Sequence, residues 1–595
     1  MISETRTCQN CKTNFDIEPE DFAFYEKMKV PPPTWCPQCR LIRRLSFMNE
    51  RTLYNRTCDL CHKKMVAVFP AETSYVVYCA ECWHSDKWDP MDYSADVDFT
   101  KPFFAQLGEL FKKTPQMGQS VIALENSDFC NLSSQMKNCY LVFNSDYSEN
   151  CMYGTFLEES KDSVDNYIAF SCERCYDSSN LYKDYNVRYS KRCNECTNVS
   201  FSLNLQNCND CFGCVNLKNK QYHIFNVPYS KEEYDVKVQK FDVGSFVFVE
   251  EMKKKIPGIF LQFPRRYVEG LNNENVVGDF IFHSKNCFYC CEVLSGENCK
   301  YCHFLSIAQT KDSYDYTMWG AGSELLCECL ASGDGAYNVK YSFNTWGAQS
   351  NIEYSKDIMK GGDDLFGCVA LKKKKYCILN KQYTKEEYEK LVVKIKQHMN
   401  DAPYTDTAGR VYRYGEFFSL ELAQHGYNET LAHAFFPLSK DEALKRGFQW
   451  RDAEAHGVMA TVKGSELPDH IKDVPDAITT EIIECQHKGE CLEQCPGAFK
   501  ITSQELAFYR QMNIPLPRLC HNCRHYSRLS ARNPISQLWN RQCQCGGAQS
   551  TNGVYINSAN HPHGASSCLT IFQTSYAADR PDIVYCAECY QQEVV

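Results

Sequence analysis

The cysteines are the residues whose spacing most clearly indicates chemistry. Eight of the 37 cysteines form four C-x-x-C pairs between Cys8 and Cys82. Two thiolates separated by two residues can grip one tetrahedral zinc ion from a tight turn, and a second pair completes the shell. The pairs are Cys8/Cys11, Cys36/Cys39, Cys58/Cys61 and Cys79/Cys82. We predict two four-cysteine zinc sites in sequence order, with an interleaved pairing as the lesser alternative.

The C-terminal part of the chain repeats this arrangement. The hexapeptide VYCAEC occurs at residues 77–82 and again at 584–589, and FAFYEKMKVPPPTWCPQCR is matched by LAFYRQMNIPLPRLCHNCR. The expected C-terminal ligands are Cys491, Cys495, Cys520, Cys523, Cys543, Cys545, Cys586 and Cys589. The first of these sites departs from the pattern, so Cys485 and His487 remain alternatives to Cys491. An insertion, TNGVYINSANHPHGASSC, precedes the last pair.

These sites are expected to be structural. A closed shell of four thiolates leaves no position for substrate, and the pairs together would hold about four zinc ions per chain. The sequence shows no secretory signal and no apolar run long enough to span a membrane, so we expect a cytoplasmic protein. Reduced thiols in that compartment favour metal binding over surface thiols or a disulfide framework.

Each zinc module also carries a basic helix. The pair CPQC continues into RLIRRLSFMNER, and CHNC continues into RHYSRLSARN. Arg40 and Arg44 are four residues apart, as are Arg524 and Arg528, so each pair would occupy one helix face. Such a face can position phosphates, and we predict nucleic-acid contact there. The alternative is an ordinary solvated face, which the net charge of −10 also favours.

The middle of the chain has a different periodicity. Five cysteines, Cys130, Cys151, Cys172, Cys193 and Cys214, are each 21 residues apart. A regular period suits a β-solenoid in which one position repeats in a stacked ladder. We expect the ladder thiols to point inward and to pack as small apolar groups, because stacked single thiols lack the knuckle turn of a zinc site.

The solenoid is itself duplicated. CFGCVNLKNKQYHIFNVPYSKEEY recurs as LFGCVALKKKKYCILNKQYTKEEY, and each copy ends in a capping box and a helix. We therefore predict a mainly β, multidomain chain of two tandem β-solenoids with a repeat of about 21 residues, flanked by treble-clef or zinc-ribbon modules. The predicted boundaries are 1–97 for the N-terminal zinc module, 98–240 and 241–400 for the solenoids, 401–480 for a connector, and 481–595 for the C-terminal zinc module.

The sequence also resembles an uncharacterised group of cysteine-rich zinc-ribbon and treble-clef proteins of candidate-phylum bacteria. FYEKMKVPPPTWCPQCRLIRRLSFMNERTLY, KNCYLVF, CFGCVNLKNKQYHIFN and FPLSKDEALKRGFQW carry this resemblance. The resemblance implies zinc binding and leaves activity open.

No sequence motif of catalysis stands out: HExxH, the phosphate-binding GxxxxGK[ST] loop and the GxSxG elbow are all missing from the sequence. We therefore expect a non-enzymatic scaffold or adaptor that docks RNA, DNA or a ribonucleoprotein, or else a protein. The alternative is an enzyme with its site in a groove between domains.

Overall fold

Parallel strands dominate the architecture. The structure is a computed structural model that describes residues 2–359, 361–452 and 459–594, so part of the predicted connector, 453–458, lies outside the described residues. Among the residues described, no helix combines the length and the apolar character that crossing a membrane would require.

The first solenoid is built from short strands that pair in parallel with the strand one coil later. The paired residues are twelve positions apart in the chain, as in Thr155 with Tyr167 and Tyr167 with Ser179. The strands are Val121–Ile122, Asn131–Ser134, Phe143–Asp146, Thr155–Glu158, Tyr167–Phe170, Ser179–Tyr182, Tyr185–Arg188, Lys191–Asn194, Thr197–Ser200, Leu203–Gln206, Asn209–Phe212 and Gln221–Ile224. A last short strand, Val227–Pro228, pairs antiparallel with Gln221–Ile224.

Within each coil the backbone repeats every three residues. From Leu132 to Asp210 a positive φ recurs at every third residue, so each twelve-residue coil turns four times. The residue after each turn points into the narrow interior, which small side chains fill. Ser178, Ser190 and Ser202 lie in one such column, and each hydroxyl accepts the N–H of the residue one coil later. Asparagines tolerate the left-handed turn positions, where Asn126, Asn138 and Asn150 form an outer hydrogen-bonded ladder.

This register corrects the predicted repeat length while it confirms the β-solenoid. The coil is twelve residues long. The cysteine spacing of 21 residues is not a multiple of twelve, but both numbers are multiples of three, the repeat of the backbone within a coil. Cysteines with that spacing therefore all point inward, but successive ones lie on different sides of the coil. The predicted single ladder is wrong for this reason. Cys151, Cys172 and Cys193 are nevertheless buried in the core of the solenoid, as expected.

The second solenoid is less regular, because the offset between paired strands varies along it. Glu274 pairs with Lys285, eleven positions later, whereas Gly296 pairs with Thr310, fourteen positions later. Its strands are Gly270–Leu271, Glu274–Phe282, Lys285–Leu294, Gly296–Lys300, His303–Leu305, Thr310–Trp319, Ser323–Ser332, Tyr337–Lys340, Phe343–Thr345, Ser350–Glu353, Lys356–Ile358, Gly362–Phe366, Lys374–Ile378 and Lys381–Gln382.

Helices follow both solenoids at the predicted capping boxes. Ser230 begins the helix Lys231–Val238, and Thr384 begins the helix Lys385–Asp401. Between the two zinc modules the described residues also form the α-helices Phe103–Lys113, Phe246–Phe260, Leu431–Phe435 and Lys440–Lys445. The described part of the connector otherwise consists of short strands, short 3-10 helices and loops. It packs on the N-terminal module, where Leu431 N–H donates to Met48 O.

Each zinc module contains two hairpin-and-helix units. The N-terminal strands are Glu4–Thr7, Asn14–Ile17, Tyr54–Thr57, Lys64–Ala67 and Val77–Tyr78, with helices Pro19–Met28, Pro37–Leu45 and Ala80–His84. The C-terminal strands are Ile483–Glu484, Ala498–Phe499, Trp539–Gln542, Ile571–Thr574 and Val584–Tyr585, with helices Ser503–Gln511, His521–Ser530 and Ala587–Val594. This arrangement matches the predicted treble-clef pattern of a knuckle followed by a helix.

Candidate metal centres

Four groups of four thiols have the mutual spacing that a tetrahedral metal ion requires. In each group all sulfur atoms lie within 4.8 Å of one another. The groups are Cys8, Cys11, Cys36 and Cys39; Cys58, Cys61, Cys79 and Cys82; Cys485, Cys495, Cys520 and Cys523; and Cys543, Cys568, Cys586 and Cys589. The two N-terminal groups pair the cysteines in sequence order, as predicted, and every cysteine is a free thiol.

The four groups share one hydrogen-bonding frame. The third cysteine of each group stands just before a helix, and its N–H donates to the sulfur of the first cysteine at 3.2 Å in all four cases. A hydrogen bond from backbone to sulfur stabilises the thiolate that a metal needs. Burial raises the pKa of Cys58, but the N–H groups of Cys61, Cys79 and Leu60 outweigh it and leave that pKa at about 7.

The second cysteine of each group is fixed by the same frame. The N–H of the first cysteine donates across the hairpin to a carbonyl two residues beyond the second cysteine, namely that of Thr13, Lys63, Gly497 or Thr570. Sulfur-to-sulfur distances from the second to the third cysteine are 3.7, 3.9, 3.8 and 3.9 Å. These match the edge of about 3.8 Å expected for a tetrahedron with Zn–S bonds of about 2.3 Å.

This frame revises two of the predicted C-terminal ligands. Cys485 occupies the place predicted for Cys491, which lies in a longer knuckle with its sulfur 3.7 Å from Cys523. Cys568 occupies the place predicted for Cys545, because the insertion lies inside the knuckle instead of after it. Two residues separate Cys8 from Cys11, whereas 24 separate Cys543 from Cys568. In the structure Cys568 stands three residues before the returning strand Ile571–Thr574, as Cys11 stands three residues before the strand Asn14–Ile17.

The predicted phosphate-binding arginines are buried in the protein, and this corrects their assignment. Arg40 and Arg44 are 1% and 0% exposed, and both pair with Asp315 of the second solenoid, at 2.9 and 3.1 Å. Arg524 and Arg528 are 9% and 8% exposed and pair with Asp165 of the first solenoid, at 2.8 and 3.0 Å. Arginines enclosed in this way cannot reach a phosphate backbone.

The two arginine interfaces are duplicates of each other. Asp315 and Glu328 lie on successive coils of the second solenoid, as Asp165 and Asp177 do on the first, and all four occupy left-handed turn positions. Arg43, which was not among the predicted arginines, pairs with Glu328 and with Glu416 of the connector at 2.8 Å each. Burial raises the pKa of Asp315, but Arg40 and Arg44 outweigh it and leave that pKa below its ordinary value.

Each zinc module contacts both solenoids. In the N-terminal module the arginine helix lies on the second solenoid, while the strand Val77–Tyr78 pairs with Gln116–Met117 just before the first. In the C-terminal module the arginine helix lies on the first solenoid, while the strand Val584–Tyr585 pairs with Arg265–Arg266 just before the second. Each module therefore has its arginine helix on one solenoid and its last strand beside the other. The two modules do so in opposite senses, and we call this pseudo-symmetric arrangement the crossing of the modules.

A cleft lies between the two solenoids, with a volume of about 760 Å³. One wall carries residues one coil apart on the first solenoid, among them Phe170 and Tyr182, and the other carries Phe282 and Leu294 of the second. The rings of Phe156 and Phe304 stack across it at 6.0 Å. The inter-solenoid cleft is thus apolar along most of its walls.

Comparisons with known proteins add no family to this description. Neither a scan of protein-family models nor a search of curated proteins returns a match.

Proposed function

We propose that the protein is a non-enzymatic scaffold in which metal-bound modules hold two β-solenoids in a fixed relation around the inter-solenoid cleft, and that this cleft receives a protein segment. The crossing of the modules is the observation that carries this proposal. A single solenoid needs no metal for the hydrogen bonds between its strands. The relative placement of the two solenoids, in contrast, depends on two modules whose folding requires metal.

The buried ion pairs support a fixed arrangement. Asp315 and Asp165 each pair with two arginines that are almost wholly enclosed. Removing one partner of such a pair leaves the other charge buried and uncompensated and typically costs about 3–5 kcal/mol, so each aspartate and its arginines must stay together in the folded protein. In this proposal the metal ion fixes the arginine helix within its module, and the ion pairs of that helix fix the module on the solenoid.

The chemistry of the cleft favours a polypeptide over a nucleic acid. Its lining includes the exposed carboxylates of Glu158 and Glu159 together with the exposed side chains of Tyr182 and Leu271. A phosphate backbone would meet negative charge there, and the arginines that would attract it are buried. Apolar columns repeating once per coil suit an extended segment with apolar and basic side chains.

The enzyme alternative has less support, although the groove it requires is present. Two carboxylates of the cleft are paired with arginines: Glu269 with Arg192 at 2.6 Å, and Glu292 with Arg532. Such pairs fix the walls and leave few groups for acid–base work.

A photo-crosslinking residue placed in the cleft tests the partner. We would incorporate benzoylphenylalanine at Tyr182, which is 44% exposed. Tyr147, which is 54% exposed, is the matched control position. Irradiation in cells should give an adduct from position 182 but not from 147, and protease but not nuclease should remove it. A nuclease-sensitive adduct would assign nucleic acid instead, and equal labelling at both positions would contradict a binding cleft.

A further inference from the structure

The knuckle of the last cysteine group contains a second candidate metal site. The insertion between Cys543 and Cys568 carries Cys545, His561 and His563, and their donor atoms lie with the sulfur of Cys589 inside 4.8 Å. Cys589 also belongs to the group of Cys543, Cys568 and Cys586. We propose that these residues bind a fifth zinc ion, and that the thiolate of Cys589 bridges it to the fourth.

His561 is oriented as a metal ligand would be. Its Nε2 lies 3.0 Å from Oε1 of Glu593, and both side chains are 0% exposed. The other ring nitrogen, Nδ1, is buried and has no hydrogen-bond partner among the described residues. A carboxylate that accepts the outer N–H fixes the tautomer and leaves a lone pair on the inner nitrogen, as in carboxylate–histidine–zinc arrangements. The orphaned Nδ1 is therefore explained by a metal ion.

His563 repeats this arrangement with the opposite nitrogen. Its Nδ1 lies 2.6 Å from the carbonyl of Ser566, so that nitrogen carries the hydrogen. Its Nε2 lies 3.3 Å from Cys589 Sγ, close to the edge of about 3.6 Å for a tetrahedral zinc with one nitrogen and one sulfur ligand. The two imidazole rings stack at 5.3 Å. Both histidines thus present free lone pairs toward the same two cysteines.

The insertion needs a cross-link, because it has almost no core of its own. Val554 and Ile556 are 52% and 76% exposed. Apart from the ring of Tyr555, which packs near Tyr585, its attachment is polar: the N–H groups of Ser558 and Ala559 donate to Glu593. A segment that buries so little apolar surface commonly depends on a metal or a disulfide, and every cysteine is a free thiol.

Charge balance also favours two ions. Five thiolates converge here, from Cys543, Cys545, Cys568, Cys586 and Cys589. One Zn²⁺ would leave a net charge of −3 on this buried cluster, whereas two leave −1. Two cysteines and two neutral histidines form a common structural zinc shell, and sharing one thiolate completes both shells.

Metal counting on the full chain tests the proposal. Native mass spectrometry of the zinc-replete protein should give five ions, and the double variant His561→Ala/His563→Ala should give four. His487→Ala is the matched control, because this histidine lies near the third cysteine group but outside its four thiols; it should retain five. A wild-type count of four would overturn the fifth site, as would an unchanged count in the double variant.

Cadmium substitution keeps the test decisive if the double variant folds poorly. The ¹¹³Cd spectrum of the wild type should show four resonances from tetrathiolate sites and one from a two-sulfur, two-nitrogen site. The last should couple through the shared sulfur to one of the four. Four resonances without such coupling would contradict the bridged pair. In the variant, the three resonances of the other groups report that the fold is intact.

Discussion

Two kinds of C-x-x-C pair occur in this protein, one in the zinc modules and one inside the solenoids. In the N-terminal zinc module, Cys36 and Cys39 meet Cys8 and Cys11 in a single group. In the second solenoid, Cys287/Cys290 and Cys299/Cys302 lie on successive coils with the same spacing. There the thiols donate to backbone carbonyls: Cys290 to Phe288 O at 3.4 Å, and Cys302 to Ser313 O at 3.2 Å.

The difference lies in the backbone that carries the pair. In a zinc module the first pair sits in a hairpin turn and the second at a helix N-terminus, so both pairs converge on one point. In the solenoid every third residue faces the interior, so a C-x-x-C spacing arises wherever two neighbouring inward positions are cysteine. Spacing alone therefore does not identify a zinc ligand, and the flanking hairpin and helix decide.

Removal of metal should give the largest effect and separate the two kinds of cysteine. A strong zinc chelator should unfold both modules, because metal binding to such sites contributes on the order of 10–16 kcal/mol per ion to folding. The solenoids should keep their strands, and their relative placement should be lost. Hydrogen exchange should show rapid exchange in residues 1–97 and 481–595, with slow exchange retained at inward solenoid positions. Equal loss of protection in the solenoids would contradict this division.

Substitution of one cysteine of each kind sharpens the comparison. Cys36→Ser should remove one zinc ion and destabilise the N-terminal module by several kcal/mol, since one lost thiolate opens a closed shell. Cys287→Ser is the matched control, because serine occupies many inward positions, where its hydroxyl donates to the carbonyl two residues earlier, as the thiol of Cys287 donates to Lys285 O. It should keep the full metal count. Elemental analysis and limited proteolysis measure both effects, and metal loss from Cys287→Ser would show that the solenoid thiols also bind metal.

The sequence predicted the architecture better than the ligand boundaries. The four N-terminal pairs and the two β-solenoids were readable because short motifs and internal duplication are local signals. Cys568 could not be recognised as a ligand, because the long insertion within its knuckle leaves no characteristic spacing. Cys8 and Cys11, in contrast, are separated by only two residues. The coil length of twelve residues could not be read from the cysteines, because those noticed were 21 residues apart. That spacing does share the backbone repeat of three residues with the coil.

The arginines show why a surface role is hard to assign from sequence. Arg40, Arg44, Arg524 and Arg528 form helix faces that suit either solvent or phosphate. Their partners, Asp315 and Asp165, lie several hundred positions away in the chain. Only the crossed docking of modules and solenoids brings these charges together, and a helical pattern contains no information about it.

A carboxylate at an inward solenoid position gives a smaller, pH-dependent effect. Asp184 is 1% exposed; its burial raises the pKa above 3.8 to about 7, and the N–H groups of Cys196 and Tyr182 only partly offset this. Ionisation therefore opposes folding. Stability from this site is greatest below the unfolded pKa and falls by up to about 1.4 kcal/mol per pH unit until pH reaches the folded pKa.

Asp184→Asn removes that ionisation. The variant should be more stable than the wild type by roughly 2–4 kcal/mol at pH 8, and its advantage should shrink as pH falls toward 5.5. Hydrogen exchange of the strands Ser179–Tyr182 and Lys191–Asn194 at constant zinc measures the difference. Ser160→Ala, in the same column of the coil, is the control and should give a pH-independent change. A pH-independent difference for Asp184→Asn as well would contradict the raised pKa.

The smallest effect is expected from a solenoid thiol alone. Cys172 is fully buried and donates to the carbonyl of Phe170 at 3.3 Å. Cys172→Ala removes one sulfur atom from a filled interior without leaving a buried charge, so the cost should be about 1 kcal/mol. The metal count should not change. Ala169 already occupies an inward position three residues earlier, which shows that the interior accepts this side chain. A lost metal ion, or destabilisation comparable to Cys36→Ser, would mean that the inward thiols bind metal as the knuckle thiols are expected to do.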